Sequence, residues 1–157
     1  MRVDPVDIVV AFLNTLDVEE QVDVLDDPDN WHDWIASTLG VDPDAMSDSG
    51  SDHARTLRTH LRAVVSGDAP PDSSRIPVAV EFDTNGATLT SDSVVGLIAA
   101  AAARLSIDGR WGRVKICPAD DCRWAFYDSS RNRSRQWCSM RVCGNRAKVR
   151  NHRARRD

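Results

Sequence analysis

"CPADDCRWAFYDSSRNRSRQWCSMRVC", residues 117–143, holds all 4 cysteines of a chain of 157 residues. They form two C-x4-C pairs, Cys117 with Cys122 and Cys138 with Cys143, and 15 residues separate the pairs. A tetrahedral zinc site needs four soft donors at about 2.3 Å, delivered by two short loops that a hairpin or helix brings together. This spacing supplies them, and Pro118–Ala119–Asp120–Asp121 is a turn-prone link of the kind such a loop needs. The competing arrangements are four buried thiols or two disulfides. A reducing compartment favours the metal over the disulfides.

Folding energetics point the same way. Residues 111–157 offer few aliphatic side chains: Val114, Ile116, Met140, Val142, Val149 and some alanines. A segment of roughly 45 residues this polar does not fold on burial alone. Zinc held by thiolates supplies on the order of 10–16 kcal/mol of folding free energy, enough to decide the matter. The sequence predicts a miniature core around that metal, built from Trp111, Trp124, Trp137, Phe126 and Tyr127.

Charge divides the chain where the cysteines begin. Residues 1–110 carry 7 basic and 20 acidic side chains, a balance of −13, whereas residues 111–157 carry 13 basic and 4 acidic ones, a balance of +9. A basic segment of this density usually meets a polyanion. Four thiolates on one zinc ion leave a formal charge of −2, which two arginines would neutralise, so thirteen basic residues exceed that need. The chain is therefore expected to comprise an acidic domain, 1–109, and a basic module, 110–157.

The stretch from Cys117 to Arg153 closely resembles the CGNR zinc finger family, named for the tetrapeptide that here is Cys143–Gly144–Asn145–Arg146. The shared pattern is the paired cysteines, the aromatic-Asp-Ser-Arg run of Phe126, Asp128, Ser130 and Arg131, Trp-Cys-Ser-Met at 137–140, and the basic C-terminal segment. It departs at Gln136, where family members often have a second arginine. Upstream, "FLNTLD", "WHDWI" and a hairpin followed by an alanine-rich helix resemble the ABATE domain that usually precedes this finger. The resemblance implies a bacterial transcription regulator that binds zinc through Cys117, Cys122, Cys138 and Cys143, with DNA binding inferred.

Expectations for the module follow. Arg113–Ile116 is a short strand, and "WAFYD" with "RSRQW" forms a hairpin turning near Ser129–Asn132. Cys143 opens or lies inside a final helix that presents Arg146, Arg150 and Arg153 on one face at i, i+4 and i+7. Val142, Ala147 and Val149 are expected to face the hairpin. Candidate nucleic-acid contacts are Arg131, Arg133, Arg135, Arg146, Lys148, Arg150 and Arg153, because the arginine fork suits both phosphate and guanine edges. Asn145 beside a metal ligand is assigned to shaping backbone rather than to reading a base.

The acidic domain reads as mostly helical. Asp4 and Pro5 start one helix, with Val6, Ile8, Val9, Phe12, Leu13 and Leu16 making it a buried one. Asp27 and Pro28 start a second, whose Trp31, Trp34, Ile35 and Leu39 share a face and which Gly40 ends. A third runs from about Asp52 to Val65 with Ala54, Leu57, Leu61 and Val64 as its stripe. "VAVEF" and "ATLT" flank the turn signal Asn85–Gly86 and predict a β-hairpin. Ser91–Asp92 then launches an alanine-rich helix that Asp108–Gly109 stops. The expected class is α+β: a mainly helical N-terminal domain with a short β-hairpin, then a four-cysteine module of hairpin plus C-terminal helix.

Several function classes are disfavoured. The longest apolar runs, Ile8–Leu13 and Leu97–Ala103, fall short of the ~18 residues that cross a bilayer. "MRVDPVDIVV" carries no export signal, which predicts a cytoplasmic protein. No glycine-rich phosphate loop, nucleophile elbow or His-Glu metal helix occurs, so no enzyme is expected. His53 and His60, seven apart, are assigned to the surface.

The expected function is zinc-dependent DNA binding in transcription regulation, with the acidic domain sensing a signal or forming a homodimer. RNA is the alternative partner, stacking on Trp124, Phe126 and Tyr127. A nuclease of the His-metal type is disfavoured because no histidine lies between His60 and His152. The opposed charges further suggest that the acidic domain docks on the basic module and masks it.

Overall fold

The computed structural model describes residues 3–73 and 75–155. Among these described residues, five α-helices and three separate two-stranded antiparallel ladders make an α+β fold. Helix α1, Pro5–Leu13, begins where Asp4 Oδ1 accepts the Val6 N–H at 2.8 Å. Its Val6, Val9, Phe12 and Leu13 are buried, as an apolar helix set deep in a small domain requires. Leu16 lies beyond the helix, in the ladder of β1 (Leu16–Asp17) with β2 (Val22–Asp23).

Helix α2, Pro28–Trp34, is capped by Asp27 and runs into a wide turn, Ile35–Leu39, that Gly40 ends at φ +69°. Trp31 and Trp34 stack with ring centroids 5.0 Å apart, and both pack on Phe12. Helix α3 spans Ser51–Ser66. Ala54 and Leu57 are buried and Leu61 is partly so, but Val64 is 43% exposed and does not belong to the core stripe. The buried residues of α3 that spacing alone did not reveal are polar. Arg58 donates to Thr15 Oγ1 at 2.8 Å and to both oxygens of Asp23 at 2.7 and 2.5 Å. His60 is also buried, 2.9 Å from Asp72, which corrects its assignment to the surface; His53 is exposed.

The hairpin of β3 (Ala79–Asp83) and β4 (Gly86–Thr90) forms as the sequence predicts, but its two turn residues are Thr84–Asn85, one position before Asn85–Gly86, because Gly86 already pairs with Asp83. It projects from the body, leaving Phe82 81% exposed and Val80 51% exposed. Helix α4, Val94–Ile107, is capped by Ser93, whose Oγ accepts the Gly96 N–H at 3.1 Å; the cap thus lies one residue beyond Ser91–Asp92. Glycine is needed at 96 because a Cβ there would sit 2.0 Å from Ser91 Oγ.

Two apolar cores result. One gathers Phe12, Leu25, Trp31, Ile35, Leu57, Val94 and Ile98. The other joins Val6, Val9 and Leu13 of α1 and Ala101, Ala102 and Leu105 of α4 to Val114 and Ala125. Those last two belong to the third ladder, β5 (Val114–Ile116) with β6 (Ala125–Tyr127). Asn14 extends that ladder sideways as a peptide would: its Oδ1 accepts the Ala125 N–H at 2.7 Å and its Nδ2 donates to the Ala125 carbonyl at 2.9 Å. Arg62, from α3, ties the Leu13 and Arg123 carbonyls together.

The expected hairpin of "WAFYD" with "RSRQW" does not form. β6 pairs back with β5, and residues 133–139 have no strand. The cause is Asp128, which is wholly buried. It takes the Lys115 ammonium at 2.6 Å, the Ser130 hydroxyl and N–H, and the Arg135 N–H at 3.0 Å. Lys115 also donates to the Arg133 and Arg135 carbonyls, both at 2.8 Å, so the main chain that would have built a second strand is already engaged. The hydrogen bonds from Lys115, then those from Ser130, hold the Asp128 carboxyl well below the usual carboxylate range.

Candidate metal centre and nucleic-acid interface

Two loops bring the sulfurs together. The first follows β5: the Cys117 N–H donates to the Trp124 carbonyl at 2.8 Å, and the Cys122 and Arg123 N–H groups both donate to the Ala119 carbonyl at 3.0 Å. Arg123 takes φ +54° to complete this tight loop. The second follows the Asp128–Arg135 loop. Arg135 reaches round it, donating through Nε to the Trp137 carbonyl at 3.0 Å and through Nη2 to the Cys138 carbonyl. Its guanidinium lies 4.7 Å over the Phe126 ring. Ser139 then caps a wide turn, Met140–Gly144, that leads into helix α5, Asn145–Ala154.

The sulfurs of Cys117, Cys122, Cys138 and Cys143 all lie within 4.8 Å of one another, and none is in a disulfide. Cys122 and Cys138 are 3.5 Å apart, and Cys138 and Cys143 are 3.6 Å apart. A tetrahedron of sulfurs at 2.3 Å from its centre has edges of about 3.8 Å. The donor set therefore fits a thiophilic divalent ion in size, number and chemistry.

Protonation chemistry agrees. Burial pushes the Cys143 thiol up to about 11, and burial together with the neighbouring sulfurs pushes Cys138 higher still. At Cys117 burial also acts upward, but N–H groups of Cys138 and Ala119 outweigh it and leave that thiol below its ordinary value. A dry cluster of this kind sheds its protons when a cation replaces them.

The miniature core is smaller than the sequence suggested. Phe126, Ala119 and Trp137 pack round the cysteines, whereas Trp111 and Tyr127 join the core shared with α1 and α4. Trp124 is 37% exposed. Phe126 is buried and Tyr127 lies under the Arg110 guanidinium, so of the three aromatic residues named as a stacking platform, Trp124 alone offers itself to solvent.

The tetrapeptide that closes the site has a physical account. Cys143 supplies a sulfur. At Gly144 a Cβ would sit 2.5 Å from Met140 Sδ and 3.3 Å from Trp137 Cδ1. Asn145 Nδ2 donates to the Arg141 carbonyl at 2.9 Å. Arg146 reaches Glu19 of the β1–β2 turn at 2.8 Å and lies 3.7 Å from Asp121, which is also 3.8 Å from Arg150.

The remaining basic candidates are placed as follows. Arg131, Arg133, Lys148 and Arg153 are exposed and make no side-chain hydrogen bond or ion pair among the described residues. Arg135 is committed to the metal loops as described. Val142 and Val149, expected against the hairpin, instead face solvent at 40% and 50% exposure; Ala147 is half-buried. Helix α5 has no buried residue at all, because the sulfur cluster meets only the turn before it.

The comparison with family models separates the chain into two overlapping matches. The model of the CGNR zinc finger covers residues 113–156, and the ABATE model, described as "Putative stress-induced transcription regulator", covers residues 7–115. The chain belongs to the ABATE family. No curated protein matches it. In this ABATE protein the two matches overlap at residues 113–115, which include Val114 and Lys115 of β5, at the point where the helical core and the sulfur cluster meet. Neither family is one of enzymes. Among the described residues, no helix is long and apolar enough to cross a membrane.

Proposed function

We propose that this ABATE protein is a zinc-dependent DNA-binding regulator of transcription, acting in the cytoplasm. Zinc would be held by Cys117, Cys122, Cys138 and Cys143 and would supply structure rather than reactivity: four thiolates leave no open position for substrate. Residues 110–157 would bind DNA, and residues 1–109 would sense a signal or form a homodimer. The observation that carries this reading is a four-sulfur cluster whose adjoining helix and loop present Arg131, Arg133, Arg146, Lys148, Arg150 and Arg153 at the surface. Arg135, expected among them on sequence grounds, is instead bonded to the Trp137 and Cys138 carbonyls.

A gel-shift titration of metal-loaded protein against genomic fragments tests it. If about six phosphates are neutralised, log affinity falls with log salt at a slope near −5. Absence of binding at low salt ends this reading. Single-stranded RNA as competitor distinguishes the alternative partner, which now rests on Trp124 alone.

A further inference from the structure

The exposed valines of α5 and of the turn before it are not explained by folding. Val142 and Val149 are 40% and 50% exposed beside a sulfur cluster and a core that could have taken them. Together with Arg141, Asn145, Arg146 and Arg150 they line one open groove of about 550 Å³. The spacing from 141, 142, 145, 146, 149 to 150 repeats every turn, so the six side chains form a single stripe along the helix. Cys143 and Gly144, between its first residues, are buried against the sulfur cluster, and the stripe runs beside them with Arg146 and Arg150 turned toward Asp121 of the first cysteine loop.

We infer that this stripe is the base-reading face of the protein, inserted in the major groove of duplex DNA. The inference rests on the DNA-binding reading above and adds which residues carry sequence preference. Its composition is what base edges require. Guanidinium forks match guanine O6 and N7, a carboxamide matches adenine, and a branched aliphatic group packs on the thymine methyl. A surface that only holds phosphate has no use for two exposed valines. A surface built for an apolar protein partner would not place three arginines around them, and the module's balance of +9 favours a polyanion. A helix of ten residues is about 15 Å long and fits the major groove, reaching four or five base pairs.

The neighbours of the stripe prepare it. Asp121 stands beside both Arg146 and Arg150, which limits their rotamers before any ligand arrives. Asn145 is held at the surface by its bond to the Arg141 carbonyl, and that bond uses Nδ2, leaving Oδ1 to accept from an adenine amino group. Lys148 and Arg153, off the stripe, are left to the phosphates on either side.

The test uses the metal-loaded full chain and duplexes selected from a random library. Val149→Ala, Asn145→Ala and Arg141→Ala should each lower the ratio of specific to non-specific affinity about tenfold or more and relax preference at one or two positions. Val149→Ala preserves charge and raises helix propensity, so a loss there is neither electrostatic nor a failure to form the helix; metal content of each variant checks the latter. Lys148→Ala should lower specific and non-specific binding alike and reduce the salt slope by about 1. The inference is overturned if the stripe variants keep the parent's preference, if Lys148→Ala changes it, or if the selection yields no preferred sequence. In those cases DNA still binds and the DNA-binding reading stands; absence of any binding at low salt removes both. Preferential recovery of RNA from a mixed pool also overturns it.

Discussion

Chelation should divide this molecule along a line that the cysteines alone do not mark. Helix α5 and the preceding turn, Met140–Gly144, touch the body through the sulfur cluster and through the solvent-exposed ion pairs of Arg146 and Arg150, and α5 buries no side chain of its own. Isolated helices shorter than about 12–15 residues are marginal in water. The ten residues of α5 are therefore expected to owe their order to a metal on the four sulfurs, since the ~10–16 kcal/mol of such a site would exceed anything else available to them. The β5–β6 ladder has other supports. Ala125 exchanges two hydrogen bonds with Asn14, and the Arg123 carbonyl takes a third from Arg62. At about 1 kcal/mol each these contribute about 3 kcal/mol, a factor of roughly a hundred in local opening. Amide exchange with and without a thiol-compatible chelator reads the difference. The amides of residues 145–154 should exchange as in an unfolded chain once the metal is gone, while that of Ala125 keeps about hundredfold protection. The reasoning fails if α5 stays protected without metal, or if Ala125 and the α1 and α4 amides are lost together with it.

Three further outcomes are expected. Glu19→Gln, which removes the nearer of the two acidic partners of Arg146 and leaves Asp121, should raise DNA affinity about two- to fivefold at low salt in the full chain, since half-exposed ion pairs are individually weak; equal or weaker binding in a fluorescence titration would show that the pair does not compete with DNA. Arg58→Ala leaves the Asp23 carboxylate nearly buried without its main partner and should cost about 3–5 kcal/mol in urea unfolding. At Asp23 burial acts upward on the pKa, but the Arg58 hydrogen bonds, the Leu25 N–H and the Arg58 and Arg55 charges outweigh it and hold the carboxyl below its ordinary range. A carboxyl depressed in the folded state contributes stability that is complete above the unfolded pKa of about 3.9 and is lost as pH falls through the folded value. Arg58→Ala should therefore flatten the loss of stability below about pH 4, and an unchanged acid slope would contradict the assignment. Gly96→Ala should destabilise by about 1–3 kcal/mol in thermal melts despite alanine's better helix propensity, because Ser91 and Ser93 occupy the space; a stabilised variant would mean that the serine cap repacks freely.

What the sequence revealed was local. Asp4–Pro5 and Asp27–Pro28 write helix starts within two residues, the run Asp83–Gly86 writes a hairpin turn to within one position, and paired cysteines write two loops whose sulfurs meet, so each was legible from its neighbours. What it hid depends on distance along the chain. Arg58 looks like a solvated helix residue until Thr15 and Asp23, 43 and 35 positions away, are folded against it. "RSRQW" is expected as the second strand of a hairpin with "WAFYD", but Lys115 takes two of its carbonyls. Val142 and Val149 read as core by hydrophobicity. The helix leaves the metal at an angle that no periodicity records, and they end in solvent. The tryptophans follow the same rule: Trp111 and Trp137 are close to the cysteines in sequence, yet only Trp137 packs on them.

The carboxamide of Asn14 and the apolar contacts of Val114 and Ala125 have a consequence for heredity and for engineering. Where a linker joins two parts, either can be exchanged; here the join is a shared wall. A finger transplanted onto another carrier would arrive with Val114 and Ala125 stripped of their neighbours and one edge of its ladder open. The two halves should thus travel through evolution as a pair, and a change at the floor of α1 should register as a tilt of the distal helix.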